Sequence, residues 1–245
     1  MALPIDINDL ESKRFGIVAA RLTAMDALLE TVDKAALAAG VDMITARVDA
    51  ADIHRVHALE DAGYRLMDTL VYYGCPLDRW QSRAAHAAPR VATSEDIVTI
   101  SAIARAAFAN YIGHYHADPR LDSNAADAAY VEWAETSAAA SSEERPVLIL
   151  QPDGELGGFL AFRRNAPEEF EIVLNGVHPE SQGKGLYTAL IEHALEMAQA
   201  ANAERMIIST QINNYGVQRI WSRLGFCHYR SLYTFHKWYS DNIGI

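Results

Sequence analysis

A glycine-bearing turn joins an apolar segment to an amphipathic one in the second half of the chain. The apolar run from Phe170 to Val177 predicts a strand, and Pro179 ends it. Two glycines follow, and the apolar stripe from Gly185 to Asn202 predicts a long helix. The backbone N–H groups at the start of such a helix face outward and favour phosphate groups through hydrogen bonds and the helix dipole. We therefore predict an anion-binding site at this turn.

The side chains of the turn suit a pyrophosphate. Glycine lets the backbone approach an anion without an intervening Cβ, and a lysine beside it adds positive charge. The residues predicted to hold the ligand are Val177, Gln182, Gly183, Lys184, Gly185, Leu186 and Tyr187.

A second motif follows after one more predicted strand. Asn214, Val217, Trp221 and the pair Gly225-Phe226 are spaced as a short helix that a glycine ends. Asn214 suits either a helix N-cap or a hydrogen bond to a ligand. The indole of Trp221 donates a hydrogen bond but does not ionise, so this side chain is no ordinary general acid.

The two motifs together resemble the GNAT superfamily of N-acetyltransferases. The first is similar to the family's Gln/Arg-x-x-Gly-x-Gly/Ala run after a strand that ends Val-x-Pro. Gln182 and Gly185 match it, whereas Tyr187 stands where the family has a small residue. The second is similar to Asn-x-x-Ala-x-x-x-Tyr-x-x-x-Gly-Phe, with Trp221 at the tyrosine position. The resemblance covers about residues 91–238 and implies acetyl-CoA, or another acyl-CoA, as co-substrate.

The resemblance also implies an α/β (α+β) fold, in which a mixed central sheet carries a splayed strand pair. Asn175-Gly176 would be the site of the bulge that causes the splay, and Asn214 would bind the cofactor arm. Trp221 would lie beside the cofactor in place of the family's proton-donating tyrosine. Another group would then donate the proton, the thiolate would leave unassisted, or the domain would be a CoA-binding module with lapsed catalysis.

Glu171 is the candidate catalytic base. It lies on the strand where the family often carries a carboxylate, and a base or a water path is needed to keep the substrate amine neutral. The alternative is a solvated charge at the end of the acidic run Glu168-Glu169.

The segment from Asn110 to Asp122 is the candidate acceptor site. It offers Tyr111, His114, His116 and Arg120, and aromatic rings with an arginine suit a planar ring bearing phosphate. Ordinary loop surface is the alternative interpretation of each of the four, and for a single loop residue it is the more common case. His114 and His116 lack a third ligand in the sequence, so no metal site is predicted.

The first third of the chain contains a residue spacing similar to that of the second motif. The eleven-residue step from Asp52 to Gly63-Tyr64 repeats the step from Asn214 to Gly225-Phe226. Chance similarity in an α/β protein and a decayed copy are both open explanations. We predict a truncated GNAT-like domain at residues 1–78, a linker at 79–90 and the acyltransferase domain at 91–245.

Shorter features resemble the bacterial TDP-fucosamine acetyltransferase group. They are Phe15-Gly16 in the N-terminal segment, Tyr130-x-x-Trp133 after the aromatic loop and Thr210-Gln211 before Asn214. This resemblance implies a nucleotide-linked amino sugar as the amine acceptor. A protein amine, a polyamine or an antibiotic are the alternative acceptors.

The net charge, the apolar runs and the cysteines of the chain disfavour several partners and cellular locations. The formal net charge of −11 disfavours non-specific nucleic-acid binding and anionic membrane surfaces. No apolar run approaches the roughly 20 residues of a membrane span, and the N-terminus has no secretory pattern. Cys75 and Cys227 are far apart and predict reduced thiols in a cytoplasmic protein, with a disulfide between them as the alternative. The sequence leaves the oligomeric state open, a homodimer included.

Overall fold

The computed structural model describes residues 3–82, 88–152 and 156–240, which form two compact units. The first unit comprises Met1–Val71, Ile112–Ala126 and Arg230–Ile245, and the second comprises Tyr72–Tyr111 and Asp127–Tyr229. Each unit is therefore assembled from segments that are distant in sequence.

The described residues form a mixed α/β structure. The strands are β1 (Ile5–Ile7), β2 (Ala19–Leu22), β3 (Met43–Asp49), β4 (Arg65–Pro76), β5 (Arg90–Val91), β6 (Val147–Leu150), β7 (Gly158–Ala166), β8 (Glu169–Val177), β9 (Arg205–Gln211) and β10 (Cys227–Trp238). The helices are α1 (Asp9–Phe15), α2 (Leu29–Ala38), α3 (Ile53–Asp61), α4 (Ile97–Phe108), α5 (His114–Ala117), α6 (Ser123–Ala139), α7 (Leu186–Ala200) and α8 (Tyr215–Arg223).

The first unit is built on a parallel strand pair with antiparallel neighbours. β2 pairs in parallel with β3, and β1 and β10 pair antiparallel on the two outer sides. A parallel pair needs a crossover connection, which α2 supplies. Val32 and Ala36 of α2 and Leu59 of α3 are buried in the same core cluster as Ile44 of β3.

The second unit contains the order β4-β9-β8-β7-β6-β5. Its strands pair antiparallel from β5 to β8, whereas β8 and β9 are parallel and are connected through α7. Leu190, Ile191 and Leu195 on one face of α7 are fully buried, and they join the core cluster that contains Phe162 and Met206. This packing fixes the helix whose N-terminus follows the glycine turn.

β8 and β9 separate part of the way along their length. Their parallel register runs from the pair Glu169–Arg205 to the pair Ile172–Ile208 and ends there, although both strands continue. The predicted splayed strand pair is thus confirmed. The bulge is not at Asn175-Gly176, as predicted, because those residues pair regularly with β7.

The irregularity lies at Val173 instead. Ile172 and Leu174 pair with the adjacent residues Phe162 and Ala161, so Val173 is the extra residue. Gly176 has a packing role, because a Cβ there would lie 3.1 Å from Ala107 Cβ and 3.2 Å from Phe159 Cε1. The glycine therefore allows α4 to pack closely on the sheet.

The elements predicted around the two motifs correspond to β8, α7 and α8, with shifts of a few residues at their ends. The short elements β1, α1, β5 and α5 are not predicted, because two to seven residues give little periodicity. Residues 83–87 of the predicted linker lie outside the described residues. Within the described ranges, no helix has the length and apolar character needed to cross a membrane.

Candidate functional site

The glycine turn links the end of β8 to the start of α7. A short 3-10 turn at Pro179–Ser181 follows the strand, and Gly183 and Gly185 then adopt left-handed backbone conformations, with φ of 76° and 83°. Among the described residues other than their chain neighbours, no atom would lie within 4 Å of a Cβ at either position. The glycines are therefore required by the backbone conformation, while the space in front of them is open.

One side of the glycine turn is attached to the protein core, and the other side is exposed to solvent. The Gln182 side-chain amide donates to the Val177 carbonyl at 3.2 Å, and Leu186 and Val177 belong to the core cluster. Residues 182–185, which include Lys184, are exposed. The amide groups of the first turn of α7 have no acceptor within the helix, so they can donate to an anion.

The end of β8 supplies an extended edge next to this turn. Val173–Val177 follow the last residue that pairs with β9, and β7 covers only one side of the strand. A backbone edge of this kind can bind an extended ligand that contains amide groups, as an added strand would. The turn and the edge together fit an anionic group followed by an amide-containing arm.

Asn214 lies at the N-cap position of α8, but its side chain makes no capping bond. Its Nδ2 donates instead to Thr210 Oγ1 on β9, at 3.1 Å. Thr210 lies beyond the last β9 residue that pairs with β8, so the amide is held beside the separated part of the two strands. A direct contact of Asn214 with a ligand stays a prediction.

Trp221 and Tyr187 form a hydrogen-bonded pair. The Trp221 Nε1 donates to the Tyr187 hydroxyl at 3.0 Å. Trp221 is buried in the core cluster, and Tyr187 is partly buried against the same cluster. The Tyr73 ring packs edge-on against Trp221 at 5.5 Å, and its hydroxyl donates to Gln218 at 3.2 Å. The two departures from the motif patterns are therefore in direct contact.

Glu171 is held by an ion pair on the surface of the sheet. Its Oε2 accepts from Arg163 Nη2 at 2.8 Å and from Asn165 Nδ2 at 3.2 Å. Its side chain is 15% exposed, so water can still reach the carboxylate. The catalytic role of Glu171 stays a prediction.

The four residues predicted to bind the acceptor have different surroundings. Tyr111, in the second unit, packs edge-on against Phe108 and Tyr130. His116, in the first unit, is partly exposed and accepts from the Gly113 N–H at 3.3 Å. Arg120 lies over the Trp238 ring at 4.1 Å and donates to the Ser240 carbonyl. Their role in substrate binding remains a prediction.

His114 is buried, and its partners were not predicted from the sequence. Its Nδ1 lies 3.0 Å from His236 Nε2, and His236 Nδ1 donates to Asp118 Oδ2 at 2.8 Å. The Trp238 indole donates to the same oxygen at 2.9 Å. Burial lowers the pKa of His114 well below its usual range, and the neighbouring His236 acts in the same direction.

This cluster connects α5 and the following turn to β10. Asp118 and His236 are more than a hundred residues apart, and neither lies in a recognisable motif, so no sequence signal identifies the pair. Across the described parts of the chain, no three His, Cys, Asp or Glu side chains are grouped as a metal site. Both cysteines are reduced, with Cys75 buried and Cys227 exposed.

Comparison with known proteins finds a family match for part of the chain. Residues 108–226 match the Acetyltransferase (GNAT) family. The chain is 24% identical over 199 residues to the spore coat polysaccharide biosynthesis protein SpsD of Bacillus subtilis, which covers 80% of this chain and 67% of that protein. It is 28% identical over 65 residues to N-alpha-acetyltransferase 30 of Schizosaccharomyces pombe, which covers 26% of this chain and 43% of that protein.

The fold has solved counterparts. The GCN5-related N-acetyltransferase from Sphaerobacter thermophilus superposes with a TM-score of 0.64 at 13% identity, over 96% of this chain and 76% of that chain. The matched segment contains the glycine turn, the separated strands β8 and β9, and the Trp221–Tyr187 pair. Residues 108–226 therefore form an acetyltransferase domain of the GNAT family.

Proposed function

We propose that this chain transfers an acetyl group, or a similar acyl group, from acyl-CoA to the amine of a small molecule. The observation that carries the proposal is the turn with left-handed Gly183 and Gly185 at the start of α7, beside the unpaired edge of β8. The exposed amides of this turn suit the pyrophosphate of CoA. The edge from Val173 to Val177 suits its amide-containing pantetheine arm.

Transfer occurs directly between the two bound substrates. The amine nitrogen attacks the thioester carbonyl, the carbon–sulfur bond breaks, and one amine proton leaves. Glu171 is the proposed acceptor for that proton, directly or through water, with Arg163 holding its carboxylate in place. Asn214, held by Thr210, is the proposed contact to the pantetheine arm.

The proposed acceptor is a nucleotide-linked amino sugar. Support comes from SpsD, whose name assigns that relative to polysaccharide biosynthesis and whose match covers most of this chain. Aromatic and cationic side chains suit a nucleotide, so Tyr111, His114, His116 and Arg120 are each kept as an individual candidate for contacting it. A protein N-terminus is the second candidate, because of the 65-residue match to N-alpha-acetyltransferase 30.

Two measurements test this proposal. Calorimetric titration of the full chain with CoA should give one site per chain, and absence of binding at millimolar CoA would refute the cofactor assignment. A thiol-release assay with acetyl-CoA should then compare amino-sugar nucleotides, peptides with free N-termini, polyamines and aminoglycosides. Peptide turnover without sugar-nucleotide turnover would select the second candidate.

A further inference from the structure

The hydrogen bond between Trp221 and Tyr187 has only one possible direction. An indole N–H donates and cannot accept, so the Tyr187 oxygen is the acceptor. The phenol proton of Tyr187 therefore points away from Trp221. Among the described residues, no side chain or backbone group accepts this proton. A partly buried donor is thus available to a ligand.

The surroundings keep that proton on the oxygen. Burial raises the pKa of the Tyr187 hydroxyl above its ordinary value, while the hydrogen bond from Trp221 acts in the opposite direction. The phenol is therefore protonated throughout the neutral range. If the proton is given up, the Trp221 N–H is already in position to stabilise the phenolate.

The location of Tyr187 connects it to the proposed cofactor path. It is the second residue of α7, directly after the glycine turn. Its partner Trp221 lies on α8 two turns after Asn214, on the same face of that helix. Asn214 is itself held beside the separated ends of β8 and β9. The phenol thus lies between the proposed pyrophosphate site and the helix that follows the separated strands.

We propose that Tyr187 is a catalytic residue that protonates the departing sulfur, and that Trp221 is the residue that positions it. As the amine nitrogen bonds to the acyl carbon, the carbon–sulfur bond breaks and sulfur keeps the bonding pair. The Tyr187 O–H gives its proton to sulfur, which forms the free thiol. The proton lost by the amine restores the phenol through Glu171 or water, so charge and atoms balance. This inference rests on the proposed acyl-CoA function.

The direct test is Tyr187→Phe in the full chain. The turnover number in acetyl-CoA thiol release should fall by about 10²-fold or more, the usual contribution of a general acid. The Kd for CoA should change less than about threefold, because the ring remains. Tyr73→Phe is the matched control: it removes a hydroxyl from another ring that touches Trp221, and its turnover should stay near that of the wild type.

A rescue experiment separates catalysis from packing. Trp221→Phe should lower kcat about tenfold by releasing the Tyr187 hydroxyl, with little change in KM for acetyl-CoA. The double variant Tyr187→Phe with Trp221→Tyr returns a phenol to the same contact from the opposite helix. It should recover at least tenfold over Tyr187→Phe alone. A purely structural pair gives no such recovery.

The outcomes distinguish this inference from the proposed function. Full turnover by Tyr187→Phe would overturn the proton-donor role and leave the acyl-CoA function standing. Slow acetyl-CoA hydrolysis without an amine provides a readout that needs no acceptor, and it should show the same loss. A wild-type chain that binds acetyl-CoA but neither transfers nor hydrolyses it would overturn the catalytic role. Absence of CoA binding by the wild type would refute the proposed function itself.

Discussion

This protein has two parallel strand pairs, and in each pair a helix connects the two strands. The pairs differ at the turn between the first strand and the helix. β2 runs through α2 into the parallel β3, and β8 runs through α7 into the parallel β9. Before α2 the chain passes through Thr23–Leu28, which contains no glycine, and extended Leu28 occupies the N-cap. Before α7 it passes through left-handed Gly183 and Gly185. Only the second turn offers an anion an open approach to the backbone.

The similarity continues after each parallel pair. α3 has Asp52 at its N-cap and ends before left-handed Gly63 and buried Tyr64. α8 has Asn214 at its N-cap and ends before left-handed Gly225 and buried Phe226. The same local framework therefore occurs with and without a glycine turn, so the framework alone does not make a cofactor site. We propose that residues 1–78, the predicted truncated GNAT-like domain, bind no cofactor of their own.

The largest expected effect comes from placing the same charge at the two corresponding N-caps. Gly185→Glu brings a carboxylate and a Cβ toward the proposed pyrophosphate and should weaken CoA binding at least about 100-fold. Leu28→Glu, at the exposed N-cap of α2, should leave CoA binding unchanged. Calorimetry on both variants measures the difference.

The effect of backbone strain on CoA binding must be separated from the effect of the added charge. A non-glycine residue at a φ of 83° costs about 1–2 kcal/mol, so thermal unfolding of Gly185→Glu should be recorded as well. Gly185→Asn carries no charge and tolerates the left-handed region, so it should bind CoA better than Gly185→Glu does. Equal losses of CoA binding in Gly185→Glu and Leu28→Glu would refute the distinction between the two turns.

A smaller effect is expected from acid. The stability of the first unit should fall at a higher pH than the stability of the second unit. Burial lowers the pKa of His114, so the unfolded chain binds a proton near pH 6.5 that the folded first unit does not. The contribution of neutral His114 to the free energy of unfolding is fully present above about pH 6.5. It is lost as the pH falls below that value. In the second unit, the Arg90 guanidinium holds the pKa of Asp96 at about 2, so that contribution is lost only below about pH 4.

Hydrogen exchange at pH 7.5 and pH 5.5 measures this difference, once intrinsic exchange rates are corrected for pH. Amides of β2 and β3 should lose about tenfold in protection at the lower pH, while those of β6 and β7 should change little. His114→Gln removes the titrating group and should abolish the difference, whereas His193→Gln on α7 should preserve it. Equal loss of protection in both units would contradict the assignment to His114.

The smallest effect concerns the glycines that end α3 and α8. Gly63→Ala and Gly225→Ala should each lower the free energy of unfolding by about 1–2 kcal/mol, because alanine is strained at φ of 82° and 97°. A Cβ at Gly63 meets nothing within 4 Å, and one at Gly225 lies 3.9 Å from Cys75 and Trp80, an ordinary contact distance. Urea titration of both variants should therefore give similar losses. A much larger loss for one would show that the two caps are not equivalent.

Features that depend on residues close together in the chain could be predicted from the amino-acid sequence. The strand, the glycine turn and the apolar stripe after it lie within about 30 residues, and they predicted β8, the left-handed turn and α7. The spacing from Asn214 to Phe226 likewise predicted α8 and its glycine cap. Periodicity and glycine conformation act locally, so a sequence pattern is enough to reveal them.

Contacts between side chains that are distant in sequence could be identified only from the folded structure. Tyr187 and Trp221 are each a departure from a motif, and their hydrogen bond depends on how α7 and α8 pack in the second unit. The Asp118–His236–His114 chain depends on α5 and β10 coming together in the first unit, with more than a hundred residues between them. The extra residue at Val173 depends on the register with β7. Packing and register couple residues across long sequence separations, and no local pattern encodes that coupling.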